Sequence, residues 1–345
     1  NTDNLLGSTG TLGKVVAWCL GLEAVGALAM MATWSSNVPF ASWSDRLFSS
    51  VFHSVSAFNN AGITLFTDGL AHPWVAQNWL IHWIVTLLVF VGALGMVAMF
   101  DLFDFGKLRE RMIQPWKTIS FPSKIALYFS LGLVGFGTLA FAALEWTGTM
   151  EGMSTFGKVT TSVFQSVTRT SGFNTVDIGS VGMPMLFLLM MLMFIGASSS
   201  STGGGIKTST LAVVMADVWR TVRGSDHVQI FQRTINSVLR SRAYSVLLFF
   251  LVGNMVGVFA LTLSEQPLMD NGTWGFFDLA FEHVSAMGTV GLSTGLTPLL
   301  SSWGKVILAV AMFVGRVGTL TVAFAVGSKT VQTHFKYPEG HTMVG

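Results

Sequence analysis

Along the chain, apolar residues gather into six stretches, at about 15–32, 79–100, 124–144, 184–219, 243–263 and 303–326. Each reaches the roughly 20 residues that a helix needs to cross a bilayer. The fourth is interrupted: the run MPMLFLLMMLMFI gives way to GASSSSTGGGIKTST before LAVVMADVW resumes. Between the long stretches lie three shorter amphipathic ones, near 46–57, 156–168 and 274–287. These are too short to span and predict re-entrant helices that enter the membrane and stop inside it.

Set side by side, the short segments repeat. They read FSSVFHSVSAFNNAGITLF (48–66), VTTSVFQSVTRTSGFNTVD (159–177) and FDLAFEHVSAMGTVGLSTG (277–295). Each carries Phe-x-x-Val-(Ser/Thr) and, a few residues on, a glycine: Gly62, Gly172 and Gly291. Long span, re-entrant segment, long span therefore occurs three times, which predicts an all-α membrane protein built from pore repeats. The repeats divide the chain at 1–110, 111–235 (with the interruption at 197–205) and 236–345, the last ending in a tail.

Charge supplies the orientation. Lys107, Arg109, Arg111 and Lys117 follow the second span; Arg220, Arg223, Arg233, Arg240 and Arg242 follow the fourth. Intervening loops carry Asp68, Glu145, Glu151, Asp177, Glu265 and Asp270. The positive-inside rule puts the basic loops, Lys14, Lys329 and Lys336 in the cytoplasm, so the re-entrant segments enter from outside. Trp34, Trp43, Trp74, Trp79, Trp146, Trp274 and Trp303 fall near outer span ends, where an aromatic belt is expected.

Composition agrees. Only 10% of the 345 residues are charged, against about 25% in soluble domains. A net charge of +2 is too small to argue for nucleic acid, and the single Cys19 rules out an intrachain disulfide. The opening NTDNLLGSTGTLGK carries no signal peptide and reads as a polar loop.

A helix that stops within the membrane leaves extended backbone that must face protein or a water-filled path. With a small residue at the turn, its carbonyl oxygens can replace the hydration shell of a cation. Thr289-Val290-Gly291-Leu292 is a near-copy of the Thr-Val-Gly-Tyr that lines potassium channels, and the equivalent positions are Asn60-Ala61-Gly62-Ile63 and Thr170-Ser171-Gly172-Phe173. Close helix packing through small residues would explain isolated glycines, but not their fixed place after three re-entrant helices.

SAFNNAGI (56–63), SGFNTVD (171–177), STGGGIKT (201–208), SAMGTVGLSTGLTP (285–298) and MFVGRVGTLT (312–321) together resemble the motifs of the Trk, Ktr and HKT potassium transporter superfamily. The closing KYPEGHTMVG (336–345) is more similar to the Ktr branch, and the resemblance covers almost the whole chain. It implies outer-helix, pore-helix, filter-loop and inner-helix units around a pseudo-four-fold pore in a bacterial inner membrane. K⁺ would be the transported ion, bound at the filter only, with Na⁺ as a candidate activator and no cofactor in the chain. Partners implied are membrane lipid, a second copy in a homodimer and a cytoplasmic ring of regulatory subunits that alone bind nucleotide. The chain departs from the family in showing three units of four: the first is absent, and residues 1–14 resemble the stretch that follows it. One further N-terminal repeat is therefore expected in the complete protein. In the interrupted helix, Ser198, Ser199, Ser200 and Ser201 stand where the family often has Ser-Pro-Gly-Ser, so a fixed turn is less expected there.

Other motifs point elsewhere and fail. GGGIKTST has an isoleucine between Gly205 and Lys207 and follows an apolar span, unlike a phosphate-binding loop. GLSTG (291–295) lacks the strand and later catalytic partners of a nucleophile elbow. No enzyme is expected. His53, Glu282 and His283 on the re-entrant segments are open to two readings, electrostatic support of a cation path or hydrogen bonding to nearby backbone. Arg316, near the middle of 303–326, is expected as an electrostatic barrier or a latch beneath the filter, the latch touching the polar break at 198–205. Gly196, Ala197, Ser198, Ser199, Ser200, Ser201, Thr202, Gly203, Gly204 and Gly205 are expected to form a gate loop in the conduction path. The rival readings are a Na⁺ or ammonium channel, a membrane-embedded enzyme, and an anion pore, for which Arg169 is the one candidate lining residue.

Overall fold

The computed structural model describes residues 2–114, 118–272 and 274–318. Lys117, Lys329, Lys336, residues 319–326 of the last span and the closing KYPEGHTMVG lie outside them. The first unit runs α1 (Thr2–Thr33), α2 (Trp43–Phe58), α3 (Trp79–Leu94), α4 (Met96–Phe103) and α5 (Phe105–Ile113). The second runs α6 (Phe121–Glu145), α7 (Thr155–Thr168), α8 (Met183–Phe194) and α9 (Thr208–Arg223). A small antiparallel pair, β1 (Gln229–Ile230) and β2 (Arg233–Thr234), then leads to α10 (Ser237–Ser264), α11 (Gln266–Asp270), α12 (Phe276–Met287) and α13 (Ser302–Val317).

Short-range chemistry starts these helices where they are needed. Ser42, Ser154 and Ser301 cap α2, α7 and α13, each accepting the N–H three residues on at 3.2, 3.1 and 3.1 Å. Pro122 and Pro184 open α6 and α8, where the missing N–H has no helical partner to lose. Gly13–Thr33, Phe121–Glu145 and Ser237–Ser264 are uninterrupted and apolar enough to cross a membrane. Their outward faces, including Leu20, Leu28, Phe136, Leu139, Val256 and Phe259, are exposed. Such a surface matches hydrocarbon rather than water, and the protein is a multi-pass membrane protein.

The re-entrant helices α2, α7 and α12 are the shielded ones. α2 packs on α1 and α3, α7 on α6 and α3, and α12 on α10, α13 and α8. The inner helix of one unit thus backs the re-entrant helix of the next. The cores follow the same rule. Phe164, Val167 and Phe173 of the second unit complete the first core, and Phe281, Val290 and Leu292 of the third complete the second.

Four expectations are corrected. Residues 2–14 are not a polar loop, because α1 begins at Thr2. The span expected at 79–100 is not continuous: it bends by 107° between α3 and α4. Gly95 makes that elbow with φ +83°, a conformation that excludes most side chains, and Met96 N–H donates to the Ser200 carbonyl at 3.1 Å instead of continuing the helix. Trp34 does not join an aromatic belt; it is buried and its indole N–H donates to Ser50 Oγ at 2.7 Å. Arg316 is not mid-helix, since α13 reaches its cap at Gly318 and Arg316 lies in the last turn.

Candidate functional site

Each re-entrant helix ends by turning its chain into the left-handed region. In the first unit Asn60 has φ +51° and Gly62 +68°; in the third Thr289 has +50° and Gly291 +99°. The bonds that hold these turns match one for one. Asn60 and Ala61 donate to the Ala57 and Ser56 carbonyls at 3.1 and 2.9 Å, while Thr289 and Val290 donate to Ala286 and Ser285 at 2.9 and 2.9 Å. The second unit is two residues shorter here, and Ser171 and Gly172 both donate to the Thr168 carbonyl at 2.9 Å. Gly172 keeps the positive φ, at +83°.

The three glycine segments lie side by side. A Cβ on Gly62 would run into the Ser171 carbonyl oxygen, and one on Gly172 into that of Val290. A Cβ on Gly291 would meet only the Gly172 Cα, at 3.8 Å. Phe173, Val290 and Leu292 bury their side chains in the cores and offer backbone at this junction, whereas Ile63 is exposed. A cavity of about 600 Å³ has Ala61 on one wall and Thr289, Val290, Gly291 and Leu292 on another, and reaches from Glu282 to Arg316.

The interruption between α8 and α9 lies against the inner end of these segments. Its ends close on each other: Gly196 N–H donates to Ile206 O (2.9 Å), Ile206 N–H to Phe194 O (3.2 Å) and Ala197 N–H to Gly204 O (3.3 Å). Its tip is fastened to α3 through Ser198 N–H to Ala93 O (3.0 Å) and Thr202 N–H to Gly92 O (3.4 Å). Asn60 Nδ2 donates to Thr202 Oγ1 at 2.9 Å, and Gly204 sits against Gly288 and Thr289. The four serines therefore occupy a fixed turn despite lacking the proline and glycine expected there; Ser200, at φ +62°, makes the left-handed bend.

Two cations grip this loop. Arg316 donates to the Thr202 carbonyl, and Lys207 Nζ to the Gly203 carbonyl at 2.6 Å. Sequence reasoning missed Lys207, which it weighed only against a phosphate loop. Arg169, the one candidate for lining an anion pore, does not line this cavity. Its buried guanidinium donates to the Leu192 and Ile195 carbonyls at 2.8 and 2.6 Å, satisfying the broken end of α8. Also missed was the clasp at Gly92 and Gly315, where the inner helices α3 and α13 press on the Phe58 and Met287 carbonyls. FVG and MFVG in the sequence carry that signal only once the two units are overlaid.

Comparison with known proteins agrees with this architecture. Residues 9–333 match the TrkH family, described as cation transport proteins. The chain is 36% identical to the Ktr system potassium uptake protein B of Bacillus subtilis, over 100% of this chain and 74% of that protein. It is 32% identical to the potassium/sodium uptake protein NtpJ of Enterococcus hirae, over 100% of this chain and 74% of that protein. The crystal structure of the potassium transporter TrkH from Vibrio parahaemolyticus shares the fold, with a TM-score of 0.71 at 16% identity over 92% of this chain. The chain spans 64% of that structure's length. These are transporters rather than enzymes, and with residues 9–333 matching the family, this chain belongs to the TrkH family of cation transport proteins.

Proposed function

We propose that this chain is the pore-forming subunit of a potassium uptake system and carries K⁺ into the cell. The observation that carries the reading is the close stacking of the Gly62, Gly172 and Gly291 backbones against a hydrogen-bonded intramembrane loop. Backbone carbonyls gathered in this way can replace the water around a bare monovalent cation. Thr289 Oγ1, beside the loop, is buried without a protein partner, as suits a hydroxyl that faces an ion path. In this reading 60–63, 170–173 and 289–292 form the filter of three pore repeats, residues 196–205 are the gate, and Arg316 is the barrier below. The chain pairs as a homodimer and takes a cytoplasmic, nucleotide-binding ring as its regulator. Na⁺ as carried or coupled ion is the second reading, favoured by the name of the Enterococcus hirae relative.

The test is uptake of radioactive K⁺ and Na⁺ by the protein in liposomes. Saturable K⁺ uptake that exceeds Na⁺ uptake is expected. Na⁺ uptake alone would replace K⁺ by the second reading. Movement of neither ion by correctly inserted protein would overturn both.

A further inference from the structure

The Phe-x-x-Val-(Ser/Thr) pattern leaves its second position variable: His53, Gln165 and Glu282. All three are buried, at 1%, 0% and 3% exposure, inside membrane-embedded helices where an unpaired polar group is costly. Each reaches the same place. His53 Nε2 accepts the N–H of Leu65 at 3.4 Å, Gln165 Nε2 donates to Thr175 Oγ1 at 3.4 Å, and Glu282 Oε1 accepts the N–H of Thr294 at 2.9 Å. Leu65, Thr175 and Thr294 each stand three residues after the filter glycine of their own repeat. His53 is held in the required tautomer because its Nδ1 donates to the Ser49 carbonyl at 2.7 Å.

The three braces differ in strength. Glu282 accepts from Ser293 Oγ (2.7 Å), Thr294 N–H and Oγ1, and Thr297 Oγ1, so one carboxylate gathers the whole outer limb of the third filter. Bonds to an ionised acceptor are about twice as strong as neutral ones. The first limb hangs from a single long bond to an imidazole. Of the three, Glu282 also lines the cavity beside Gly291.

We propose that His53, Gln165 and Glu282 are equivalent positioning residues that set the filter carbonyls from behind, and that Glu282 is the one on which ion discrimination depends most. None of them touches the ion; each acts through the limb that follows its glycine. The inference rests on the K⁺ transport reading above.

The experiment compares full-chain wild type, Glu282→Gln, Glu282→Asp and His53→Ala in liposomes, measuring the half-saturating K⁺ concentration, the maximal rate, the Na⁺-to-K⁺ uptake ratio and the melting temperature. Glu282→Gln removes the charge and puts an amide donor at one oxygen position, where the Thr297 hydroxyl would have to accept instead of donate. It is expected to raise half-saturation by about tenfold, the loss of a charged hydrogen bond, and to raise the Na⁺-to-K⁺ ratio. Glu282→Asp should recover part of both, and His53→Ala should change both less than Glu282→Gln does. Should Glu282→Gln fail to fold, Ser293→Ala with Thr297→Val removes two donors from the other side of the same contact and is expected to shift the same two quantities. A fall in melting temperature or maximal rate with half-saturation and ion ratio unchanged would reduce Glu282 to a structural prop and overturn the proposal. If wild type moves no K⁺, the transport reading fails instead, and the two failures are told apart by that control.

Discussion

Three glycines carry the same motif and positive φ, yet their surroundings make them unequal. At Gly62 and Gly172 an added Cβ meets the Ser171 and Val290 carbonyls, so the backbone itself would have to shift. At Gly291 the nearest atom among the described residues is the Gly172 Cα at 3.8 Å, and the φ of +99° opposes a side chain. Forcing an L residue into such a conformation costs about 1–3 kcal/mol. Gly62→Ala and Gly172→Ala are therefore expected to lose folded, membrane-inserted protein, measured as monodisperse yield after detergent extraction. Gly291→Ser should keep that yield and instead weaken K⁺ affinity and admit relatively more Na⁺. Unchanged affinity and ion preference in Gly291→Ser would remove Gly291 from the filter.

Among elements, the inner helices share one habit: each stops at a glycine near the same level. α3 turns at Gly95, α8 ends before Gly196, and α13 is capped by Gly318. The loop between α8 and α9 fills the space so made, held by the α3 carbonyls, Lys207 and Arg316. If the loop obstructs the path, removing Ser198 to Gly204 should give faster, poorly regulated flux with selectivity retained. Arg316→Gln, which removes the charge and its bond to Thr202, should raise flux in the same direction; each 1.4 kcal/mol taken from a barrier is worth about tenfold in rate. A stable, correctly inserted deletion that conducts less than wild type would defeat the gate. A lower melting temperature in Arg316→Gln with no gain in flux would make Arg316 a helix anchor.

For the whole molecule, the inside-out distribution of polarity is the governing fact. Polar groups such as Ser54, Ser166, Gln165 and Glu282 are buried on the three short helices α2, α7 and α12, while Leu131, Phe136, Leu139, Phe249 and Phe259 face outward. Leu139, 72% exposed on α6, belongs to the face assigned to lipid. Leu139→Arg should lower the membrane-inserted fraction, since an arginine at a span centre costs about 2.5–3.5 kcal/mol on insertion scales, whereas Leu139→Phe should not. Equal insertion of both variants would mean that this face does not meet hydrocarbon.

The periodic features were legible in the chain because their cause is local. Apolar runs of spanning length, three short amphipathic segments and a glycine at a fixed offset from each follow from bilayer thickness and backbone sterics, which act the same way wherever the residues sit. The positions of the three glycine turns, the broken fourth span and the membrane class were accordingly readable in advance. What the residues touch was not. Arg169 could be placed beside the filter by sequence, but only folding showed its guanidinium turned to the free carbonyls of α8. Arg316 was placed too deep in its helix, and Gly95 was passed over as one small residue in an apolar run, because a bend there depends on Ser199 and Ser200 arriving from another repeat. The serines were expected to leave the turn loose, yet carbonyls of α3 and cations of α13 and the loop itself hold it. A buried polar group takes whatever partner the packing brings within reach, and in this chain that partner lies up to 144 residues away, as between Thr202 and Phe58. No local pattern encodes such a distance, so the pairing of the loop with the three glycine segments was decided by tertiary structure alone.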